Sequence, residues 1–125
     1  MKALSLKQPW AELVVSGKKT IEVRKWKTNY RGNILVQASK VPNGKGMERN
    51  GFTTLPTGCI VGKATLVGVK EYTSLEEFEK DADKHFARGY KWNKKGKLYG
   101  FLLENAQRLP ERPYKGQLNF FEVDE

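Results

Sequence analysis

The chain has 125 residues, with 23 Lys or Arg against 14 Asp or Glu, and therefore a formal net charge of +9. Its single cysteine and single histidine exclude an internal disulfide, a cysteine-based zinc cluster and a histidine-rich metal site. The lack of any run of about 18 apolar residues excludes a transmembrane helix. We therefore expect one basic, soluble domain over residues 1–125, monomeric and with no cofactor or metal. Because the first residues are too polar for a signal peptide, we expect a cytoplasmic location.

Four elements are predicted in the first part of the chain. Residues 3–6 are apolar enough for a short strand. Pro9 suits the first turn of a helix, whose apolar face continues to Gly17, a residue type that commonly ends helices. Residues 21–26 alternate apolar and polar side chains, which is typical of a strand, and residues 34–39 form a more apolar and more deeply buried strand.

A long loop, a long strand and a helix are predicted next. Residues 40–58 carry several Gly and Pro residues and little periodicity, which indicates a loop with room for a short helix. Residues 59–72 predict either one long strand or a strand with a bulge at Gly68. Ser74 caps the N-terminus of a helix over 75–87, which has an apolar face.

The last part of the chain predicts two more strands. A basic, aromatic turn at 90–96 leads into a strand over 97–106, and a link containing Pro110 and Pro113 joins it to a strand over 118–123. Strands outnumber helices, and the helices interrupt the strands rather than alternate with them. This pattern predicts an α+β fold or a small barrel and argues against a doubly wound sheet.

The positive charge is concentrated at the start of the chain. Residues 1–50 hold 11 basic and 3 acidic side chains, a balance of +8. A concentrated basic surface attracts polyanions such as nucleic acids through its field and through counterion release. Charge alone leaves open the alternative of a lysine-rich surface that only keeps the protein soluble.

Three charged side chains are expected to converge beside the strand at 21–26. In a strand, Glu22 and Arg24 point to the same face, and Lys19 lies just before the strand. Such a group can bind an anion, or it can shift the lysine toward neutrality for proton transfer. The alternative is a structural ion-pair network that holds helix to strand.

Aromatic residues interleave with basic ones, a pattern that suits base stacking combined with phosphate contact. For each tryptophan the alternative is a place in the core, and Trp26 is the best surface candidate because it continues the parity of Glu22 and Arg24. We expect His85 to be a surface residue or an internally satisfied one, and Cys59 to be a small buried apolar residue. The interleaved aromatic residues are Trp10, Trp26, Tyr30 and Trp92.

An ordered series of motifs covers nearly the whole chain. The stretch Gly17-x-Lys19-x-x-Glu22-x-Arg24 matches the pattern G-x-K-x-x-E-x-R. Through this pattern and several further matching segments, the chain resembles the ASCH (activating signal cointegrator 1 homology) domain family, which is related to the PUA fold. The further matching segments are residues 4–10, 26–32, 38–40, 56–62, 103–105 and 115–121.

The resemblance implies a PUA-like barrel of five to six strands with flanking helices and a cleft beside this pattern. It also implies that RNA or a nucleotide binds in that cleft, as PUA domains bind RNA. Lys19, Glu22 and Arg24 would line the cleft. The matching segments add five further candidate ligand-binding residues, namely Gln8, Trp10, Trp26, Ser39 and Lys40.

The resemblance also keeps an enzymatic alternative open. One bacterial branch of the family hydrolyses the amide of N4-acetylcytidine with a lysine, a threonine and a glutamate, and a ribonuclease activity has been described in the family. Lys19 matches the lysine, Glu22 stands at the threonine position, and the third position falls near Asp83. Lys19 and Glu22 would be the catalytic residues of such a hydrolase, with Glu22 as the base that activates water. A protein-interaction domain is a third alternative.

Overall fold

The computed structural model of the protein describes residues 1–87 and 97–124, so Trp92 and the turn predicted at 90–96 lie outside the described residues. None of the helices in these two ranges is long and apolar enough to cross a membrane. Within them the chain forms six strands and four short helices. In chain order they are β1 Lys2–Leu6, α1 Trp10–Val15, β2 Ile21–Arg24, β3 Gly32–Ala38, α2 Gly44–Arg49, β4 Cys59–Tyr72, α3 Leu75–Lys80, α4 Ala82–His85, β5 Leu98–Pro113 and β6 Phe120–Glu122.

The six strands form one mixed sheet in the order β2-β5-β4-β3-β1-β6, in which only the β1–β3 pair is parallel. The sheet is open, but it curls toward a barrel. Trp26, just after edge strand β2, packs edge-on against Phe101 of β5 and against Phe120 of the other edge strand, β6, with ring centroids 5.1 and 5.3 Å apart. The α+β, PUA-like architecture expected from the sequence is therefore confirmed.

Helix α1 fills one side of the curled sheet. Its buried face consists of Ala11, Leu13, Val14 and Val15, as the apolar pattern predicted. The helix can approach β4 closely only because Gly62 has no side chain: a Cβ atom there would lie 2.4 Å from Val15 Cγ1 and from the Gln107 carbonyl oxygen. The start of the chain is thereby held tightly on the sheet.

The helix predicted over 75–87 is divided into α3 and α4 at Asp81. The Asp81 carboxylate faces β4, where it accepts hydrogen bonds from the Tyr72 hydroxyl at 2.7 Å and from Lys70 Nζ at 2.9 Å. Phe86 adopts a left-handed conformation, with φ of 57°, and ends α4. The apolar pattern of residues 75–87 does not predict this break, and the side chains that bind Asp81 lie on β4.

Strand β5 is longer than predicted and includes both prolines that were expected in a link. In the β4–β5 ladder, Ile60 pairs with Arg112 whereas Gly62 pairs with Arg108, so β5 carries extra residues at this bulge. Pro110 lies there, where a missing N–H costs no ladder bond. The bulge predicted at Gly68 is present as a register shift in the same ladder. In the predicted loop at 40–58, α2 is the short helix.

We predict that Asp81→Asn lowers the free energy of unfolding by about 1.5–3 kcal/mol near neutral pH, the usual contribution of hydrogen bonds to a charged group. Burial raises the pKa of the Asp81 carboxyl, but the hydrogen bonds and charges of its partners outweigh burial and hold the pKa below its ordinary value. A lowered pKa stabilises the folded state above the unfolded pKa, and this stabilisation is lost as the pH falls through the folded pKa.

The difference between Asp81→Asn and the wild type should therefore shrink toward about pH 2 in chemical denaturation. The exposed Asp83→Asn is the control, and it should change stability little at either pH. A loss that is equally large at both pH values would contradict the role of the charged carboxylate.

Candidate functional site

Local structure brings the predicted trio of charged residues together. The left-handed Gly17, with φ of 82°, ends α1, and the Lys19 amide then donates to the Leu13 carbonyl at 2.8 Å. This turn places Lys19 just before β2, a four-residue edge strand that pairs with β5. Alternation along β2 puts Glu22 and Arg24 on one face.

The Glu22 carboxylate lies between two cations. Its Oε1 is 3.2 Å from Lys19 Nζ, and its Oε2 is 2.9 Å from Arg24 Nε and 2.8 Å from Arg24 Nη2. The predicted convergence of the three side chains is present. Because the Glu22 side chain is only 12% exposed, its interactions with the cations are weakly screened by solvent.

Lys19 is the most deeply buried member of the trio, with a side chain that is 4% exposed. Its Nζ donates to the Ile21 carbonyl at 2.7 Å and to the His85 carbonyl at 2.6 Å, in addition to its ion pair with Glu22. An ammonium group has three N–H donors, so each has an acceptor. Burial lowers the pKa of Lys19, and Glu22 opposes that shift. Lys19 thus ties β2 to the end of α4, in agreement with the structural alternative for these charged residues.

Arg24 connects β2 to β1 across the opening of the sheet. Its Nη2 donates to the Ser5 carbonyl at 2.8 Å. β6 pairs with β1 only from Lys2 to Leu4, so this carbonyl lies just beyond the end of that pairing. The Glu22–Arg24 pair therefore forms a polar floor between two separate parts of the sheet.

Two cavities meet above this floor and share Trp10, Glu22 and Arg24. We call them the first and the second cavity. The first has a volume of about 560 Å³ and extends toward Lys25, Trp26, Asn43, Arg49 and residues 85–87. The second has a volume of about 650 Å³ and extends toward Lys7, Ser39, Lys40 and residues 115–119.

The linings of the two cavities are strongly basic. Among the described residues that line them, seven are Lys or Arg and only one, Glu22, is acidic. That carboxylate already interacts with Lys19 and Arg24. The other five cationic residues are exposed to solvent and form what we call the basic rim, which consists of Lys7, Lys25, Lys40, Arg49 and Lys115.

Two partly buried indoles line the cavities. Trp10 borders both, and its ring rests on α2 at Gly46, where a Cβ atom would lie 2.9 Å from Trp10 Cζ2. Trp26 borders the first cavity while its ring edge packs on Phe101 and Phe120. Each of these two indoles therefore packs against the fold on one side and borders the cleft on another. Both alternatives, a place in the core and a surface suited to base stacking, describe part of this arrangement.

Other predicted residues lie in different places. Ser39 and Lys40 line the second cavity. Gln8 is buried and lines neither cavity: its Nε2 donates to the Pro56 carbonyl and its Oε1 accepts from the Glu12 amide, so its amide group connects α1 to the loop before β4. Asp83 is exposed and lines a smaller third cavity, apart from Glu22.

His85 is satisfied internally, one of the two alternatives expected from the sequence. The Ala87 amide donates to Nδ1 at 2.9 Å, so Nε2 carries the proton and donates to the Phe78 carbonyl at 2.7 Å. Burial lowers the pKa of His85, which favours the neutral ring. Cys59 is buried, as expected.

Sequence reasoning did not identify four members of the basic rim. Lys7, Lys25 and Arg49 lie within the segment whose charge balance is +8, so the charge count contained their signal without their positions. Lys115 lies outside that segment and reaches the cleft through the loop before β6. None of the four was singled out, because their proximity depends on how the sheet curls.

Comparisons with known proteins agree on one family. The family model described as "ASCH domain" matches residues 4–111. Activating signal cointegrator 1 of Mus musculus is 25% identical over 143 aligned positions, which cover 97% of this chain and 22% of that protein. The Homo sapiens protein is 25% identical over 140 positions, with the same coverage of both chains. The chain thus spans about a fifth of the length of the curated relatives it matches.

Solved structures support the same fold. The crystal structure of ASCH from Zymomonas mobilis matches with a TM-score of 0.73 and 17% identity, covering 99% of this chain and 87% of that chain. A mutant of the same protein matches with a TM-score of 0.69 and 17% identity, covering 99% and 88%. At this identity the likeness concerns the fold alone. Since the family model covers most of its length, this chain belongs to the ASCH domain family.

Proposed function

We propose that the cleft binds RNA or a nucleotide without chemical turnover. The observation that carries this proposal is the lining of the two cavities, in which seven cationic side chains face a single acid that is already held by two of them. A surface of this kind attracts a ligand with several negative charges. The flexible, exposed ends of the basic rim suit phosphates, which need charge more than fixed geometry.

The indoles and Glu22 supply the contacts that a base requires. Trp10 and Trp26 offer apolar ring surface, on which any base can stack. Lys19 uses one of the two lone pairs of Glu22 Oε1, and the other can accept a hydrogen bond from the amino group of a base. A fixed acid on the floor below a basic rim thus suits base recognition, with the phosphates at the edge.

Hydrolysis of a modified nucleoside or of RNA is the second candidate, because a lysine with a lowered pKa and a carboxylate share the first cavity. The geometry supports this candidate less well. Lys19 Nζ has three acceptors within the protein, so it would have to give up one of them before it could transfer a proton to or from a substrate.

We predict that removing charge from the basic rim weakens RNA binding and reduces its salt dependence. For Lys25→Ala with Arg49→Ala, the slope of log K against log salt for single-stranded RNA should fall by about 0.7 for each phosphate that the variant no longer neutralises. Fluorescence anisotropy with a labelled RNA at several salt concentrations measures the slope. The matched control is Lys63→Ala with Lys80→Ala, which removes the same charge away from the cavities.

Equal effects of the rim pair and the control pair would contradict the cleft as the binding site, because they would show that only the total charge matters. No binding at low salt would overturn the proposed function itself.

We predict that the protein releases no cytidine from N4-acetylcytidine and no fragments from short RNA during long incubation, because Lys19 is fully engaged by the fold. Chromatography of the reaction mixture measures both products. If product appears, Glu22→Gln should abolish it under the hydrolase alternative, whereas the neighbouring Thr20→Ala should not. Product formation that depends on Glu22 would overturn binding without turnover.

A further inference from the structure

We infer that the second cavity is a subsite for the adjacent nucleotide of a single-stranded nucleic acid, so that the cleft holds two consecutive nucleotides rather than an isolated nucleoside. This inference rests on the proposed function and adds the class of ligand. Four observations carry it: the size of the cavities, the support of the loop at 115–119, the exposure of Leu118 and the distribution of charge.

The cleft is larger than one nucleoside needs. Its two cavities measure about 560 and 650 Å³, and each alone lies within the range of about 300–1,000 Å³ that is usual for pockets that bind small molecules. They meet over Trp10, Glu22 and Arg24. A single nucleoside in the first cavity would leave the second one empty, whereas a dinucleotide spans both across the shared floor.

The loop that walls the second cavity is supported from below. At Gly116 the backbone lies so close to the sheet that a Cβ atom would be 2.6 Å from both Gln37 Oε1 and Ser5 Oγ. Those two atoms are hydrogen-bonded to each other at 2.7 Å, and Gln37 Nε2 donates to the Tyr114 carbonyl at 2.7 Å. The start of the loop is thereby fixed on β1 and β3, so the wall of the second cavity exists before a ligand arrives.

This support leaves Leu118 facing solvent. Its side chain is 90% exposed, more than any other large apolar side chain among the described residues. Asn119 has a left-handed backbone with φ of 57°, and beyond it Phe120 contacts Trp26. The apolar side chain of Leu118 is exposed to water at the edge of a cavity. Covering it with the flat face of a base would lower the free energy of the complex.

The charges around the second cavity match a phosphodiester. Lys7, Lys40 and Lys115 line it together with Arg24, and Glu22 is the only acid among its described lining residues. The indole of Trp10 and the side chain of Leu118 both border this cavity. Each can pack against a base only if the flat face of that base is exposed. A duplex hides those faces by stacking, so the arrangement favours a single strand.

The test compares ligands of increasing length. Isothermal titration at one salt concentration measures binding of the four nucleoside monophosphates, a mixed dinucleotide pool and a mixed single-stranded RNA hexanucleotide pool. The dinucleotides should bind about tenfold more tightly than the monophosphates, as expected for one more stacked base. Leu118→Ala should remove most of that gain and should weaken the binding of monophosphates by a smaller factor than that of dinucleotides. The control is Leu75→Ala, which shortens another exposed leucine, on α3.

Two results would overturn the second subsite while the proposed function stands. One is equal affinity for monophosphates, dinucleotides and hexanucleotides. The other is a Leu118→Ala effect that is equal for all three ligands, or no larger than that of Leu75→Ala. If none of the ligands binds at low salt, the proposed function fails together with this inference.

Discussion

The Glu22 carboxylate is the group on which the geometry of the cleft depends. It holds Lys19 on one side and Arg24 on the other, and through them it connects the end of α4 to the exposed side of β1. Removal of Glu22 would leave two poorly exposed cations without the acid they share, which is costly. The three side chains therefore act as one unit, and a change to any of them is expected to move the floor of both cavities.

Two groups of cations line the cleft, and they differ in what their side chains contact. The two cavity-lining cations that are not exposed, Lys19 and Arg24, direct their hydrogen bonds to the protein, whereas the side chains of the basic rim extend into solvent. The positive charge that faces solvent is thus carried by side chains that can move without disturbing the sheet. Under the proposed function, recognition of a base would fall to the indoles and Glu22, because these side chains are held by the fold and reposition less readily for a poor match.

The sequence allowed the local parts of this site to be predicted. Alternation in β2 predicted that Glu22 and Arg24 share a face, and Gly17 predicted the turn that places Lys19 beside them. Features that depend on distant partners were missed or misread. The break between α3 and α4 lies at Asp81, whose carboxylate is bound by Lys70 and Tyr72 on β4.

The continuous course of β5 through Pro110 follows from a bulge in the β4–β5 ladder. Local rules assign a proline to a link, and only the partner strand reveals that its N–H is not needed. Gln8 is a comparable case. Its motif predicted a ligand-binding residue. In the structure its side-chain amide forms hydrogen bonds with Pro56 and Glu12, and these depend on how the loop before β4 packs. Sequence patterns report on periodicity and charge, not on which strand a side chain will meet.

The pairing of β1 with β6 has a consequence for the order of folding. β3, β4 and β5 are neighbours both in the sheet and along the chain, whereas Lys2 and Glu122 meet across 120 positions. Closing so long a loop costs more chain entropy than joining sequential strands, and contacts of high sequence separation tend to form slowly. Since the loop at 115–119 leads directly into β6, the wall of the second cavity is completed only when this pairing forms. The part of the cleft that we propose binds the second nucleotide is therefore expected to be among the last parts of the molecule to become ordered.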